Sequence, residues 1–133
     1  MAKYSPNALC PCGSTQKYKK CCAKYHKGAF APNALTLMKS RYSAFATQQS
    51  DHIVKTTHPL NSDYTEDIAT WKASIALFCE HTNFLGLEII SVEEGEKESY
   101  VHFIAKLSSG DLNEKSHFLF EEGQWLYVDG VFK

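Results

Sequence analysis

"FLGLEIISVEEGEKESYVHFIAKL", residues 84–107, is where the chain changes its hydrophobic rhythm. Val101, Phe103, Ala105 and Leu107 recur at every second position, the period of a strand that buries one face, and Glu94-Gly95 supplies a turn between two such runs. Phe84 to Ile90 is the richest apolar stretch, and Gly86 and Glu88 interrupt it too often for a membrane span. Working toward the end of the chain, the same rhythm predicts four strands: Leu85 to Glu93, Ser99 to Leu107, Lys115 to Glu121 and Gln124 to Val131, with breaks at Glu94-Gly95, Ser109-Gly110 and Glu122-Gly123. Trp125, Tyr127 and Asp129 are expected on one shared face of the last strand.

Working toward the start, the period becomes helical. Leu35, Met38, Tyr42 and Phe45 mark one buried face of a helix from about Ala34 to Gln49. A shorter helical segment is expected around Asp51 to Thr56, ending near His58-Pro59. A third helix has Asp63 or Thr65 as its cap, Glu66 and Asp67 in its first turn, and Ile68, Trp71, Ile75 and Phe78 on one face. Helices followed by an antiparallel meander predict an α+β fold, with helices packed on one face of a curved sheet. A length of 133 residues suits one main core with a small satellite.

The satellite lies at the start. "CPCGSTQKYKKCC", residues 10–22, holds four of the five cysteines. Pro11 holds Cys10 extended, so Cys10 and Cys12 present both sulfurs to one point, and Gly13 permits a sharp turn. Ser14 is read as the cap of a short helix through about Cys22, although Lys17 stands where a capping box would need Glu or Gln. Cys21 and Cys22 would lie on its last turn, about 100° apart, where a metal can take both thiolates and a disulfide between neighbours would be strained. The spacing departs from the commoner zinc template of two to four residues between paired ligands, and a redox-active pair and free thiols stay open as alternatives. Cys79 is read as a small buried hydrophobe.

Charge divides the chain. Residues 1–27 hold six lysines and no acid, whereas residues 51–133 hold all fifteen acids against six lysines. Four thiolates with one Zn²⁺ carry −2, which would leave about +4 on the head. Lys17, Lys20 and Lys24 recur at i, i+3 and i+7, with Lys19, Tyr18 and Tyr25 beside them, so a continuous helix would display a basic stripe. Gly28, Pro32 and Asn33 form a joint, giving an expected module over 1–27 and a body over 28–133. Met1 to Leu9 has one lysine and no apolar run, so no secretory signal is read and a cytoplasmic location is expected.

Two resemblances sharpen this reading. Cys10-Pro11-Cys12-Gly13-Ser14, followed by Lys17-Tyr18-Lys19-Lys20-Cys21-Cys22, closely resembles the SEC-C motif, the zinc-binding module also found at the end of the preprotein translocase ATPase. That resemblance implies one structural Zn²⁺ on Cys10, Cys12, Cys21 and Cys22, the fourth position being Cys or His in such modules. Thr15-Gln16 replaces the usual Gly-Lys, and His26 is a spare ligand candidate otherwise expected to face solvent. It further implies recognition of an acidic partner, a protein surface or the ribosome, through Lys17, Tyr18, Lys19, Lys20 and Lys24; nucleic acid fits less well with the acidic body.

"LMKSRYSAFA", "KTTHP", "FLGLEI" and "GQWLYVDG" resemble the YchJ family of largely uncharacterised bacterial proteins, over nearly the whole chain. That family joins an N-terminal SEC-C motif to a nuclear-transport-factor-2-like (cystatin-like) cone, and this chain carries no second, C-terminal SEC-C motif of the kind some members have. The resemblance implies a cone with a pocket, for which Arg41, Tyr42, His58, Trp71, Trp125, Tyr127 and Asp129 are candidates, with His102 and His117 on neighbouring strands. An enzyme would use Arg41 to hold an anion and His58 with Asp129 for acid-base chemistry. A binding domain would use the same pocket for a small molecule or a partner. Phosphate-binding loops, dinucleotide fingerprints and nucleophile elbows are absent from the sequence.

Overall fold

The computed structural model describes residues 5–133; Met1 to Tyr4, including Lys3 of the basic head, lie outside the described residues. A turn-rich module over residues 5–22 leads into the short helix α1 (Ala23–His26). Three further helices follow, α2 (Ala34–Ala46), α3 (Ser50–Lys55) and α4 (Ile68–Glu80). Four strands complete the chain, β1 (Phe84–Glu93), β2 (Glu98–Leu107), β3 (Gly110–Glu121) and β4 (Gln124–Phe132), forming one antiparallel sheet in the order β1-β2-β3-β4. The expected α+β meander is therefore present, with helices over one face of the sheet. None of the helices among the described residues is long and apolar enough to cross a membrane.

Three bulges bend the sheet. Extra residues Leu85 and Ile90 interrupt the β1–β2 register and Val128 interrupts β3–β4. Each one adds local twist and kinks its strand, which turns a flat meander into a curved one. The Val128 bulge also corrects an expectation: Phe118 pairs with Tyr127, but His117 pairs with Asp129, so Asp129 does not share the face of Trp125 and Tyr127. It stands exposed on the outer face, with its Oδ1 3.4 Å from His117 Nδ1. Strand β3 begins five residues earlier than its expected start at Lys115. Gly110, at φ 123°, closes a two-residue turn, and Asp111, Leu112 and Asn113 pair with β2 despite their weak strand propensity.

Helix α2 is the hub. Asn33 caps it, its Oδ1 accepting from Thr36 N at 2.8 Å, and the helix is shorter than the expected Ala34 to Gln49. Its burial is wider than one stripe: Met38 and Tyr42 join Leu37 in the main core, but Ser40, Ser43 and Ala44 are also buried, while Leu35 and Phe45 are only half-buried. One side packs on β2 and β4, and the others meet α1, α3 and α4. Tyr42 Oη donates to Gly86 O at 2.9 Å and accepts from Gly86 N at 3.1 Å, stitching the helix to the edge strand.

Helix α4 is capped by Asp67, whose Oδ1 accepts from Thr70 N, rather than by Asp63 or Thr65. Its buried line is Trp71, Ile75 and Cys79, packed with Ala44 and Ile53. Ile68 and Phe78, expected on that face, are partly exposed because α4 meets α3 along one narrow stripe. Cys79 is buried as expected, which pushes its thiol up to about 11.

Candidate metal centre and the cavity of the cone

The cysteine module is a small looped hairpin rather than a helix. Cys10 N donates to Gln16 O at 2.8 Å and Tyr18 N to Ala8 O at 2.8 Å, with Gly13 and Thr15 both at positive φ, 85° and 67°. Gly13 makes the expected turn, and Thr15 in the left-handed region excludes the expected helix from Ser14 to Cys22. Instead Tyr18–Lys20 form one 3-10 turn, Cys21 takes a non-helical conformation, and Cys22 caps α1. Ser14 supports the sulfur cluster, its Oγ lying 3.0 Å from Cys21 Sγ and accepting from Gln16 N. The expected helical stripe of Lys17, Lys20 and Lys24 is therefore absent, although Lys17, Lys19, Lys20 and Lys24 are each exposed.

The four sulfurs converge. Ligand atoms of Cys10, Cys12, Cys21 and Cys22 lie within 4.8 Å of one another, with Cys12 and Cys21 Sγ 3.6 Å apart. Four sulfurs at about 2.3 Å from a tetrahedral zinc stand about 3.8 Å from each other, so the set fits a metal with small adjustments. It does not fit a disulfide, whose sulfurs are about 2.05 Å apart. All five cysteines are free thiols. Hydrogen bonds from Cys12, then Cys22, pull the Cys10 thiol far below its usual range, and the same contacts push Cys12 and Cys22 up. Metal ligation requires thiolates, and a cation at the centre of the cluster would favour them.

Behind the sulfurs runs a buried polar chain. Tyr18 is 8% exposed, so it packs against the cysteines and is not a surface contact for a partner. Its hydroxyl lies 2.6 Å from His26 Nδ1, and His26 Nε2 lies 2.8 Å from the Ser40 carbonyl. Because that carbonyl can only accept, His26 Nε2 carries the proton and Tyr18 donates to Nδ1. His26 is thus neither a spare ligand nor solvent-facing: both of its nitrogens are spent in fastening the module to α2. Cys10 Sγ lies 3.5 Å from Ser43 Oγ, and the His26 ring stands 4.9 Å from that of His52. Ser43 and His52 escaped the sequence reading, since a small or titratable residue on a helix gives no periodic signal of its own.

On the sheet side of α2 lies a cavity of about 250 Å³, lined by Arg41, Tyr42 and Tyr127 together with Glu114 and several phenylalanines. Trp71 belongs instead to an adjoining opening of about 410 Å³ that shares Arg41, Asp63 and Tyr127. The remaining candidates are elsewhere. His58 is buried against Glu121, Nε2 to Oε2 at 2.8 Å, its backbone N donating to Tyr127 O in a parallel addition to the edge of β4. Trp125 is 7% exposed in the solid core and packs on Phe120. On the outer face of the sheet His117 stacks on Tyr100, and His102 Nε2 meets Asn113 Oδ1 at 2.7 Å. Arg41, His58 and Asp129 are therefore not assembled into one site. Glu114 was missed because the expected strand began one residue after it.

Comparison with known proteins agrees with this architecture. The model of the SEC-C motif matches residues 7–24, and that of the YchJ middle NTF2-like domain matches residues 33–130. A UPF0225 protein of Enterobacter sp. (strain 638) is 37% identical over 130 residues, covering 92% of this chain and 82% of its own. The solution structure of a SEC-C motif containing protein from Rhodopseudomonas palustris superposes with a TM-score of 0.77 at 29% identity, over 93% of this chain and 98% of that one. The crystal structure of a SEC-C motif containing protein from Psychrobacter arcticus gives a TM-score of 0.77 at 26% identity, over 96% and 84% of the two chains. With a four-cysteine cluster in the motif and a helix-backed curved sheet behind it, the chain belongs to the YchJ family of SEC-C motif proteins with an NTF2-like domain.

Proposed function

We propose that Cys10, Cys12, Cys21 and Cys22 hold one structural zinc ion, and that the module so fixed is the recognition head of a cytoplasmic adaptor that contacts an acidic protein or ribosomal surface. The observation that carries this reading is the convergence of four sulfurs beneath a surface on which Lys17, Lys19, Lys20, Lys24 and Lys27 are all exposed. Residues 5–27 contain no acid to neutralise them. An all-thiolate tetrahedral set selects zinc or iron over hard cations, and four protein ligands leave no open position for a reacting water. The head then acts through its shape and charge. Recognition built on exposed lysines weakens with salt, since such charges are screened beyond about 8 Å at physiological ionic strength.

Metal content and partner capture test this together. Protein purified under reduction without chelators is expected to carry one zinc per chain; protein free of zinc would defeat the metal assignment. The full chain, immobilised in bacterial lysate, is expected to retain a partner at low salt and release it at raised salt. A variant with Lys17, Lys19, Lys20 and Lys24 all changed to Glu should keep its zinc and lose the partner. Equal retention by that variant would sink the adaptor reading, and identification of the retained species separates an acidic protein from ribosomal particles or free nucleic acid.

A further inference from the structure

The cavity of the cone has a chemistry of its own, separate from whatever the lysine-bearing module meets. Its walls are largely aromatic, with Phe45, Phe78, Phe84, Phe103 and Phe118 contributing rings. Three charged residues line this apolar space, Arg41, Glu114 and the exposed Asp63, and no ion pair joins Arg41 to either acid among the described residues. Glu114 is 7% exposed. Its Oε2 accepts from Tyr127 Oη at 3.0 Å and from Ser116 Oγ, whereas Oε1 accepts from no group among the described residues. Arg41 shows the same half-use. Its Nη1 donates to Ile53 O at 3.1 Å, Thr56 Oγ1 at 2.8 Å and Thr57 Oγ1 at 3.1 Å, but Nε and Nη2 donate to nothing there.

The unpaired atoms of Glu114 and Arg41 are not among the fully buried polar atoms that lack a partner, so they keep access to water in the cavity and are available to a ligand that displaces it. Arg41 is half-buried, and desolvation lowers it to about 10. The Glu114 carboxylate is also held closely in place: a Cβ on Gly130, its neighbour on β4, would strike Oε2, so the acid lies against bare backbone. Each anchored charge has one side fixed by the protein and another free in the wall of a shared space. The adjoining opening shares Arg41, Asp63 and Phe78 with the cavity.

We propose that this cavity binds a small zwitterionic molecule with an apolar body, its carboxylate on the free donors of Arg41 and its protonated amine on Glu114 Oε1, with the body among the phenylalanine rings. Arg suits a carboxylate because two of its N–H groups can meet both oxygens at once. A volume of about 250 Å³ limits the occupant to the size of a single amino acid or a comparable metabolite. A ligand bearing one charge alone would satisfy one wall and leave the other as it stands. A zwitterion satisfies both without adding net charge to the interior.

Three probes of matched shape decide the matter on the full chain: phenylalanine, phenethylamine, which lacks the carboxylate, and phenylacetate, which lacks the amine. Binding is followed by chemical-shift titration of backbone amides. Phenylalanine is expected to shift resonances of Phe103, Glu114 and Tyr127 and to bind about 10-fold more tightly than either single-charge probe, as one charge-assisted hydrogen bond predicts. Glu114→Gln should weaken phenylalanine and phenethylamine about 10-fold and leave phenylacetate within about 2-fold; Arg41→Lys should spare phenethylamine and weaken the other two. The proposal fails if none of the probes binds the natural chain at about 10 mM. It fails equally if either single-charge probe matches phenylalanine, a comparison that needs no variant to fold. Loss of all three probes alike in a folded Glu114→Gln protein would also overturn it, because that result reports a collapsed cavity rather than amine recognition.

Discussion

His52 shows how a single side chain ties stability to pH. It is 5% exposed; burial, then the nearby His26, Arg41 and Lys55, lowers it to about 3, and burial lowers His26 as well. Unfolded, each would take a proton near 6.5. Both folded values are depressed, so the stabilisation is fully present above about pH 6.5 and is lost as pH falls toward the folded values. The unfolding free energy from urea titration should be level above about pH 7 and decline below about pH 6.5, by up to about 1.4 kcal/mol per pH unit for each histidine held neutral. His52→Gln keeps a donor for Ser40 Oγ, 2.8 Å away, and should flatten that decline; an unchanged slope would acquit His52. The cysteines were legible at this scale because four thiols in thirteen positions have few uses. His26 was not, since its partners Tyr18 and Ser40 lie eight and fourteen residues away and only folding joins them.

At the scale of elements, local rules and pairing compete. Asn33 at the start of α2 follows the local rule, and Asn33→Ala should cost about 1 kcal/mol in urea unfolding, as lost caps generally do. Gly130 obeys pairing instead. It stands opposite Ser116, and a methyl group there would strike the Glu114 carboxylate. Gly130→Ala should therefore destabilise by about 1–3 kcal/mol, whereas the double variant Gly130→Ala with Glu114→Ala should recover most of the loss. Additive losses in that double variant would show that the clash is not the cause. The strands of the meander were legible from alternation and turn residues. The Val128 bulge was not, because one extra residue leaves the apolar pattern of β4 nearly intact while reversing Asp129. Helix α2 differs in another way: Ser40 and Ser43 lie off the apolar stripe of Leu35, Met38, Tyr42 and Phe45, yet each is buried, Ser40 at 0% exposure with its Oγ bonded to Leu37 O.

Across the whole molecule, module and cone share one helix. Ser40 and Ser43 meet the module, while Arg41 and Tyr42, between them in sequence, line the cavity. Stripping the proposed zinc with a chelator should therefore lower the melting temperature of the entire protein by several degrees. Amide exchange should quicken in α2 as well as in residues 5–27. Exchange confined to the module, with an unchanged melting temperature, would show that the two parts unfold independently. The α+β class followed from the order of helical and strand rhythms, but the docking of the module did not, since the joint at residues 27–34 carries turn residues that say nothing of how the two parts pack. In the fold Gly28 turns the chain at φ 118° and Ala31 enters the main core, so the link is a tight corner.

The position of α2 along the chain carries a consequence for biosynthesis. The cysteines and the serines they rest against all lie before residue 47, whereas the first strand begins only at Phe84. As the polypeptide leaves the ribosome, the metal site and its seat on α2 are complete while the sheet has yet to be made. Leu37, Met38 and Tyr42, which the finished sheet covers, must wait for strands that arrive last. A nascent chain halted at that stage would already have its four-cysteine cluster and would still show a greasy helix face to its surroundings.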